Sequence, residues 1–529
     1  MFSVIRFVSL KVTLTRFCSH YKYQYKVHRA TPIKYRTSKF NEQYDYVKNE
    51  LESHIPDWTS LKNNVLKKQG GINMKNVDGI LFKIMINDKL IDAAQSFATY
   101  LKKSSDNLSL GALNGILTLY YEVGIKNKLP DTEQEHILEI YTNLYKKIQF
   151  LDYTTGEALL KSLCVIDEWE KALKVFHDIH LSGIPSHLVY STLIATLFKQ
   201  NKRDEAFDLI NRSITNKRPI QHIAYEAWIN YILRQHKCKE TIVKHLDEIC
   251  LHISNTNAVI TPLTAEKIKQ TYASQDWKAQ YTEIRRYTGL CQCCKQKLDC
   301  LLTENEFKTL QKTVKERMIV GSDLFLKSSP LELDRFIKFI EKTAPYDIVL
   351  DALNVFFAAG KVHNSVKILF LKQVVDEFLR KDKKILLLGR KHMLRWPKNQ
   401  IEYLMSKTCY FFTEDLSQDD PYFITAAILS GSHTDILSKD LLRDHKFVLK
   451  DEKLQNIFLR WQWQHQWTVF YSKGRKPNIL EPLKFTPCAQ KKNGCWHLPC
   501  LKEDASPFGR VHDSVPDLTS WLCLRPKNL

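Results

Sequence analysis

Between about residues 45 and 260 the apolar positions recur at intervals of three and four, and no strand-like alternation persists, so this stretch is expected to be helical throughout. An imperfect repeat runs within it. Lys171-Ala172-Leu173-Lys174-Val175-Phe176 is echoed 34 residues later by Glu205-Ala206-Phe207-Asp208-Leu209-Ile210. Likewise Tyr190-Ser191-Thr192-Leu193-Ile194 is echoed 35 residues later by Tyr225-Glu226-Ala227-Trp228-Ile229. Ile91-Asp92-Ala93-Ala94-Gln95-Ser96-Phe97 reads as an earlier, weaker copy, and Gly183-Ile184-Pro185 as the break after a second helix. Two helices per repeat imply an α-solenoid, because a single helical hairpin cannot bury its own apolar face.

From about residue 335 the pattern changes to alternating strands and helices. Asp347 to Val355, Lys384 to Leu388, Cys409 to Phe412 and Ile436 to Ser438 read as strands. Val362 to Arg380, residues 398–407 and Pro421 to Leu429 read as helices, with Pro421 suited to a first turn. This order predicts a doubly wound, mostly parallel sheet. No Gly-x-Gly-x-x-Gly or Walker loop interrupts it, which argues against a dehydrogenase or an ATPase on the same architecture.

Carboxylates stand at the ends of these apolar runs: Asp351 after Ile348-Val349-Leu350, the pair Asp419 and Asp420, and Asp440 after Ser438-Lys439. The Asp419–Asp420 pair and Asp440 each alone suit a helix N-cap. Recurrence at successive strand ends points further, because open parallel sheets bind ligands beyond the carboxyl ends of their strands. Four gathered carboxylates repel one another unless divalent cations neutralise them. Two Mg²⁺ (or Mn²⁺) ions about 4 Å apart would activate a water and neutralise a leaving oxygen in phosphodiester hydrolysis. In-line attack would leave 5′-phosphate and 3′-hydroxyl ends.

Composition sharpens this picture. At 529 residues the chain exceeds a single core, and two to four domains are expected. A formal charge of +20 and a pI near 9.2 favour a polyanionic partner, so an acidic pocket in a basic body suggests a nuclease. No segment is long and apolar enough to predict a membrane span. Met1 to Phe40 contains no Asp or Glu, while Arg6, Arg16, Arg29 and Arg36 recur among apolar and hydroxyl residues. Such a start reads as a mitochondrial transit peptide over residues 1–41, with a basic RNA-binding tail as the alternative.

The thirteen cysteines do not suggest a disulfide scaffold in a chain this long. They gather in two groups, Cys291, Cys293, Cys294 and Cys300, then Cys488, Cys495, Cys500 and Cys523, which suggests one metal site built from both ends of a folded unit. The Cys-x-x-Cys at 291–294 needs two further ligands, and Trp496-His497 and Trp521-Leu522-Cys523 offer candidates. Arg390, Lys391, His392 and Arg395 follow the second strand, either as phosphate contacts or as a solvated basic loop. The tryptophans of Trp461-Gln462-Trp463-Gln464-His465-Gln466-Trp467 are expected in the core, on helical spacing.

The repeats resemble pentatricopeptide repeats more than the peptide-binding tetratricopeptide kind: a tyrosine opens the first helix, Glu-Ala sits in the second, and Gly-x-x-Pro follows. Such repeats read single-stranded or looped RNA, and the resemblance makes Ser191 and Glu226 candidate base-facing positions, against ordinary solvated helix residues. Leu350-Asp351-Ala352-Leu353-Asn354-Val355, Leu388 to Arg395, Asp419-Asp420-Pro421 and Asp440-Leu441-Leu442-Arg443-Asp444-His445-Lys446 resemble the metallonuclease domain of protein-only RNase P, of the animal mitochondrial type.

That resemblance implies a multidomain α plus α/β protein. Its parts are a pentatricopeptide-like RNA-binding domain at 45–260, a small bridging zinc module from 261–334 with 480–529, and a doubly wound NYN/PIN-like nuclease domain at 335–479. It implies Asp351, Asp419, Asp420 and Asp440 as catalytic metal ligands, with Asn354, Asp444 and His445 in support. It selects Cys291, Cys294, His497 and Cys523 for one structural Zn²⁺. The implied activity is removal of 5′ leaders from mitochondrial precursor tRNAs in the matrix. Implied partners are a tRNA methyltransferase and a short-chain dehydrogenase-like subunit. Ala352 departs from the family's usual Gly; were φ positive there, alanine would cost about 1 kcal/mol. Two other readings stand beside this one, an RNA-binding protein with a silent nuclease domain and a nuclease of the same fold acting on another RNA.

Overall fold

A computed structural model describes residues 38–53, 55–68, 70–104, 108–147, 150–319, 330–414, 419–439, 451–472, 476–502 and 516–527. The expected transit peptide lies outside them, apart from its last residues. The chain divides into two compact units, 1–185 and 186–529, so the repeat helices are shared between the two.

In the first unit, the helices Val77–Asn87, Leu110–Gly124 and Tyr153–Val165 pack one upon the next. Ile91–Ser104, Asp131–Lys147 and Trp169–Ser182 are their hairpin partners. The weak repeat copy at Ile91 thus begins a second helix. Side-chain oxygens stop the helices at their starts: Ser109 accepts from Ala112 N, and Asp152 from Thr154 and Thr155 N. Gly115 allows the close stacking, since a Cβ there would lie 2.2 Å from the ring of Phe82.

The second unit opens with the same pattern. First helices His187–Lys199, His222–Gln235 and Pro262–Ser274 stack, with Arg203–Thr215 and Lys239–Asn255 as second helices. Tyr190 and Tyr225 are buried in the first helices and Ala206 in a second, which is why these positions repeat in the sequence. After Ser274 no second helix follows. The chain enters a strand instead, β1 (Trp277–Thr282).

The nuclease-like part carries β2 (Ile348–Asp351), β3 (Ile385–Arg390), β4 (Cys409–Thr413), β5 (Asp435–Leu437), β6 (Gln466–Phe470) and β7 (Asn478–Leu480). Their order is β4-β3-β2-β5-β6-β7, parallel except for β7, which pairs antiparallel with β6. Strand alternation feeds two cores. Val349, Leu386, Leu388 and Ile436 pack with helices on one face, whereas Ile348, Leu350, Ile385, Leu387 and Leu437 pack with helices on the other. This is the doubly wound sheet expected from the sequence.

Three details correct the sequence reading. The strand expected to run to Val355 ends at Asp351, and helix Ala352–Ala358 begins at once. An unbroken apolar run hid that junction. The helix Glu304–Ile319, expected in the zinc module, places Phe307, Leu310 and Val314 in a core of the parallel sheet. Strand β6 follows helix Glu452–His465 without a glycine or proline between them, so the Trp-rich stretch read as helix alone. Its tryptophans are buried as expected, but Trp461, Trp463 and Trp467 enter three separate clusters.

The chain's end returns to β1. Strands β8 (Gln490–Lys492), β9 (Cys495–Pro499) and β10 (Trp521–Pro526) complete an antiparallel sheet of order β1-β10-β9-β8. Among the described residues, no helix is long and apolar enough to cross a membrane.

Candidate nuclease site and metal centres

Strand order reverses direction at β2: β3 and β4 lie to one side of it, and β5 and β6 to the other. A crevice opens beyond the carboxyl ends of strands at such a switch point. Asp351 is the last residue of β2 and 6 % exposed. Its Oδ1 accepts the amide hydrogen of Asn354 at 2.9 Å, so Asp351 also caps helix Ala352–Ala358. Asn354 in turn accepts, through Oδ1, the amide hydrogen of Lys439 at 2.7 Å. The exits of β2 and β5 are therefore tied together. Asp419 and Asp420 open the helix Asp419–Ser430, but their side chains lie outside the described residues, as do Asp440, Asp444 and His445 entirely. What is described suits a hard divalent cation: a nearly buried carboxylate at the ligand-binding edge of a parallel sheet.

Ala352 removes the concern raised by its replacement of glycine. It is the first residue of the helix and is not among the positive-φ residues, so its Cβ meets no backbone strain.

The basic segment forms a 3₁₀ turn, Lys391–Arg395, directly after β3. Lys391 is ion-paired with Glu414, which Arg335 also approaches at 3.7 Å. Arg395 is exposed, while Arg390 and His392 are half-buried. Glu414 itself is held: its amide donates to Glu332 Oε1 at 2.6 Å, and Glu332 is 1 % exposed. Sequence reading missed Glu332. The available signal was its spacing, four residues from Phe336 and eight from Ile340, on the buried stripe of one helix.

The expected sulfur and imidazole ligands converge. The donor atoms of Cys291, Cys294, His497 and Cys523 all lie within 4.8 Å of one another. Antiparallel pairing sets His497 on β9 opposite Cys523 on β10. Cys291 reaches them from a turn whose Lys295 amide donates to Cys291 O at 3.0 Å, with Lys295 in the left-handed region at φ +61°. Thr282 on β1 steadies that turn, its hydroxyl accepting from Cys293 N at 3.1 Å. Cys294 Sγ lies 3.1 Å from His497 Nε2, across 203 residues of chain.

Hydrogen bonds from the Cys294 and Cys523 thiols push Cys291 far toward the thiolate, while Cys294 rises to about 11 and Cys523 rises strongly against their Cys291 neighbour. Thiolate-prone sulfur with a fully buried imidazole is the donor chemistry of a tetrahedral zinc site. Cys293 instead faces Gln280 Oε1 at 3.3 Å, Cys300 is exposed, and neither Cys495 nor Cys500 belongs to the four-residue group.

The two expected base-facing positions separate. Ser191 is fully buried: its hydroxyl donates to His187 O at 2.7 Å and accepts from Gln221 N at 2.8 Å. It cannot face a base, because its side of the helix meets the next hairpin. Glu226 is open, with its side chain 44 % exposed and 3.6 Å from Lys267 Nζ.

Residues 286–523 match the family model described as Protein-only RNase P. The mitochondrial ribonuclease P catalytic subunit of Rattus norvegicus is 29 % identical over 406 residues, spanning 75 % of this chain and 67 % of the rat protein. That of Mus musculus is 28 % identical over 462 residues, spanning 85 % and 76 %. The solved structure of nuclear protein-only RNase P 2 from Arabidopsis thaliana superposes with a TM-score of 0.56 at 16 % identity, covering 86 % of this chain and all of that one, a likeness of fold. The matched residues include the four-residue cluster, Asp351 and the other candidate aspartates, and over them the chain is similar to protein-only RNase P, with curated relatives of the animal mitochondrial type.

Proposed function

We propose that this chain is the endoribonuclease that removes the 5′ leader from mitochondrial precursor tRNAs. The observation that carries the reading is Asp351, nearly buried at the end of β2 and tied through Asn354 to the exit of β5 at the switch point of the sheet. Asp351, Asp419, Asp420 and Asp440 would hold two Mg²⁺ (or Mn²⁺) ions, which when bound supply an activated water and neutralise the leaving oxygen. Asn354, Asp444 and His445 would support the set. In-line displacement leaves 5′-phosphate on the tRNA and 3′-hydroxyl on the leader.

Arg390, His392 and Arg395 would meet the RNA backbone, and Lys391 would do so by exchanging Glu414 for a phosphate. Such contacts position the substrate without reading its sequence. The helical repeats, Glu226 among them, would grip the folded body of the tRNA. Cys291, Cys294, His497 and Cys523 would bind one Zn²⁺ that staples the turn at 291–295 to β9 and β10; with four protein ligands no position stays open for chemistry. A mitochondrial site agrees with the names of the rat and mouse relatives, and the matrix is the compartment we propose. Partners of the methyltransferase and short-chain dehydrogenase-like kinds complete the proposal.

The test is incubation of a labelled mitochondrial precursor tRNA with the protein in Mg²⁺, alone and with those two partners, followed by analysis of both product ends. Leader release with a 5′-phosphate on the tRNA is expected. Tight binding without cleavage under every condition would leave an RNA-binding protein with a silent nuclease domain. Cleavage of other RNAs but no precursor tRNA would mean a nuclease with another substrate.

A further inference from the structure

We propose that Phe357, with Lys367 beside it, is a stacking platform for an unpaired base of the RNA leader, an inference that rests on the nuclease reading above. Helix Ala352–Ala358 follows β2 directly, and its apolar residues Leu353, Val355 and Phe356 are buried. Phe357 is the exception, 61 % exposed. It lies three residues beyond Asn354, and residues so spaced share a helix face. From that face Asn354 reaches the Lys439 amide at the exit of β5. Phe357 therefore stands one turn further along the side of the helix that borders the crevice, about 9 Å along the axis from Asp351.

Phe357 is not an isolated apolar side chain. Its ring meets that of Phe356 edge-on, with centroids 5.2 Å apart, and Phe356 stacks on Trp396 at 4.4 Å. Trp396 directly follows the basic turn Lys391–Arg395, in which Leu394 is 49 % exposed. Lys367 Nζ sits over both phenylalanine rings, 5.3 Å from the centroid of Phe356 and 5.2 Å from that of Phe357. Among the described residues no carboxylate pairs with that ammonium. Lys361 and Arg395, on the segments that carry the two outer aromatic residues, are exposed as well. Lysine is depleted at protein interfaces, so this cationic rim favours a polyanion over a protein partner. An aromatic plane beside cations suits a base and its phosphate, and stacking accepts any base. Bases of the tRNA stem are already paired, whereas the single-stranded leader offers open faces beside the scissile phosphate.

The test measures RNA binding by the full chain carrying Asp351→Asn, so that cleavage does not consume the RNA. Adding Phe357→Ala should weaken binding of a precursor tRNA about tenfold, the worth of one stacked base. Binding of the mature tRNA, which lacks the leader, should stay within about twofold. Phe357→Trp should keep precursor affinity, while Phe357→Leu, apolar but not aromatic, should resemble the alanine variant. Should the alanine variant fold poorly, the leucine variant gives the same reading. Replacing leader nucleotides one at a time by abasic ones should reveal a position whose loss is also about tenfold. That loss should vanish in the Phe357→Ala protein, because coupling of this kind reports a direct contact.

Equal weakening of precursor and mature tRNA would overturn the inference, as would abasic and Phe357→Ala losses that simply add. So would a loss that appears only with partner proteins present, which would make Phe357 a protein contact. If the unaltered protein cleaves no precursor tRNA, the nuclease reading fails, while the abasic series, a binding measurement, still decides whether Phe357 meets the leader.

Discussion

His497 on β9 stands directly opposite Cys523 on β10, and Cys294 Sγ comes within 3.1 Å of the same imidazole. Strand pairing alone would place the first two; the turn at Cys291–Lys295 brings the others. Purified protein is therefore expected to carry one equivalent of zinc by elemental analysis. Cys523→Ser should lose it and unfold several kcal/mol more easily, because structural zinc contributes its binding energy to folding. Purified protein without zinc, or a Cys523→Ser variant as stable as the unaltered protein, would count against the site.

His252 makes stability depend on pH. Its ring packs edge-on against Tyr225 and Trp228, with centroids 6.0 and 5.8 Å away, and burial pushes its pKa from 6.5 down to about 4. Above pH 6.5 the imidazole is neutral in both folded and unfolded chains. As pH falls from 6.5 to 4, the unfolded chain takes up a proton that the folded one refuses, and stability drops by about 2–3 kcal/mol. Denaturant unfolding of His252→Phe across this window should show a flatter profile; the same slope in both proteins would contradict the assignment.

Ser191→Ala should weaken folding by about 1–2 kcal/mol, since Gln221 N loses its acceptor inside the protein. Its RNA affinity, measured by filter binding, should match that of the unaltered protein. A fall in affinity at unchanged stability would return Ser191 to the role the repeat pattern first suggested.

Restoring the family glycine tests the junction after β2. Ala352 sits in ordinary helical backbone, so Ala352→Gly should cost about 0.5–1 kcal/mol of stability and bring no gain in cleavage rate. A faster enzyme would mean that alanine restrains the junction between β2 and the helix after it.

The fates of Ser191 and Ala352 show what the sequence could and could not carry. Hydrophobic spacing located the repeats and the alternation of the nuclease sheet, because burial imposes those periods directly. The proposed zinc ligands were legible only as two distant cysteine groups, and the family resemblance chose among them. Which face Ser191 presents depends on stacking between hairpins, and periodicity within one helix does not report it. Glu332 shows the same limit, since its burial comes from the Glu414 amide, 82 residues away. Strand β6 was hidden by its continuity with a helix, where tryptophan suits both states.

The most direct test of the whole account is single-turnover cleavage of a mitochondrial precursor tRNA in Mg²⁺ by the unaltered protein, by Asp351→Asn, and by Asp419→Ala/Asp420→Ala, with RNA binding measured in parallel. Losing a metal-binding carboxylate should slow cleavage by about 10³-fold, the equivalent of about 4 kcal/mol in the transition state, while binding stays nearly unchanged. Cleavage that survives both substitutions would contradict a catalytic centre at the carboxyl edge of this sheet.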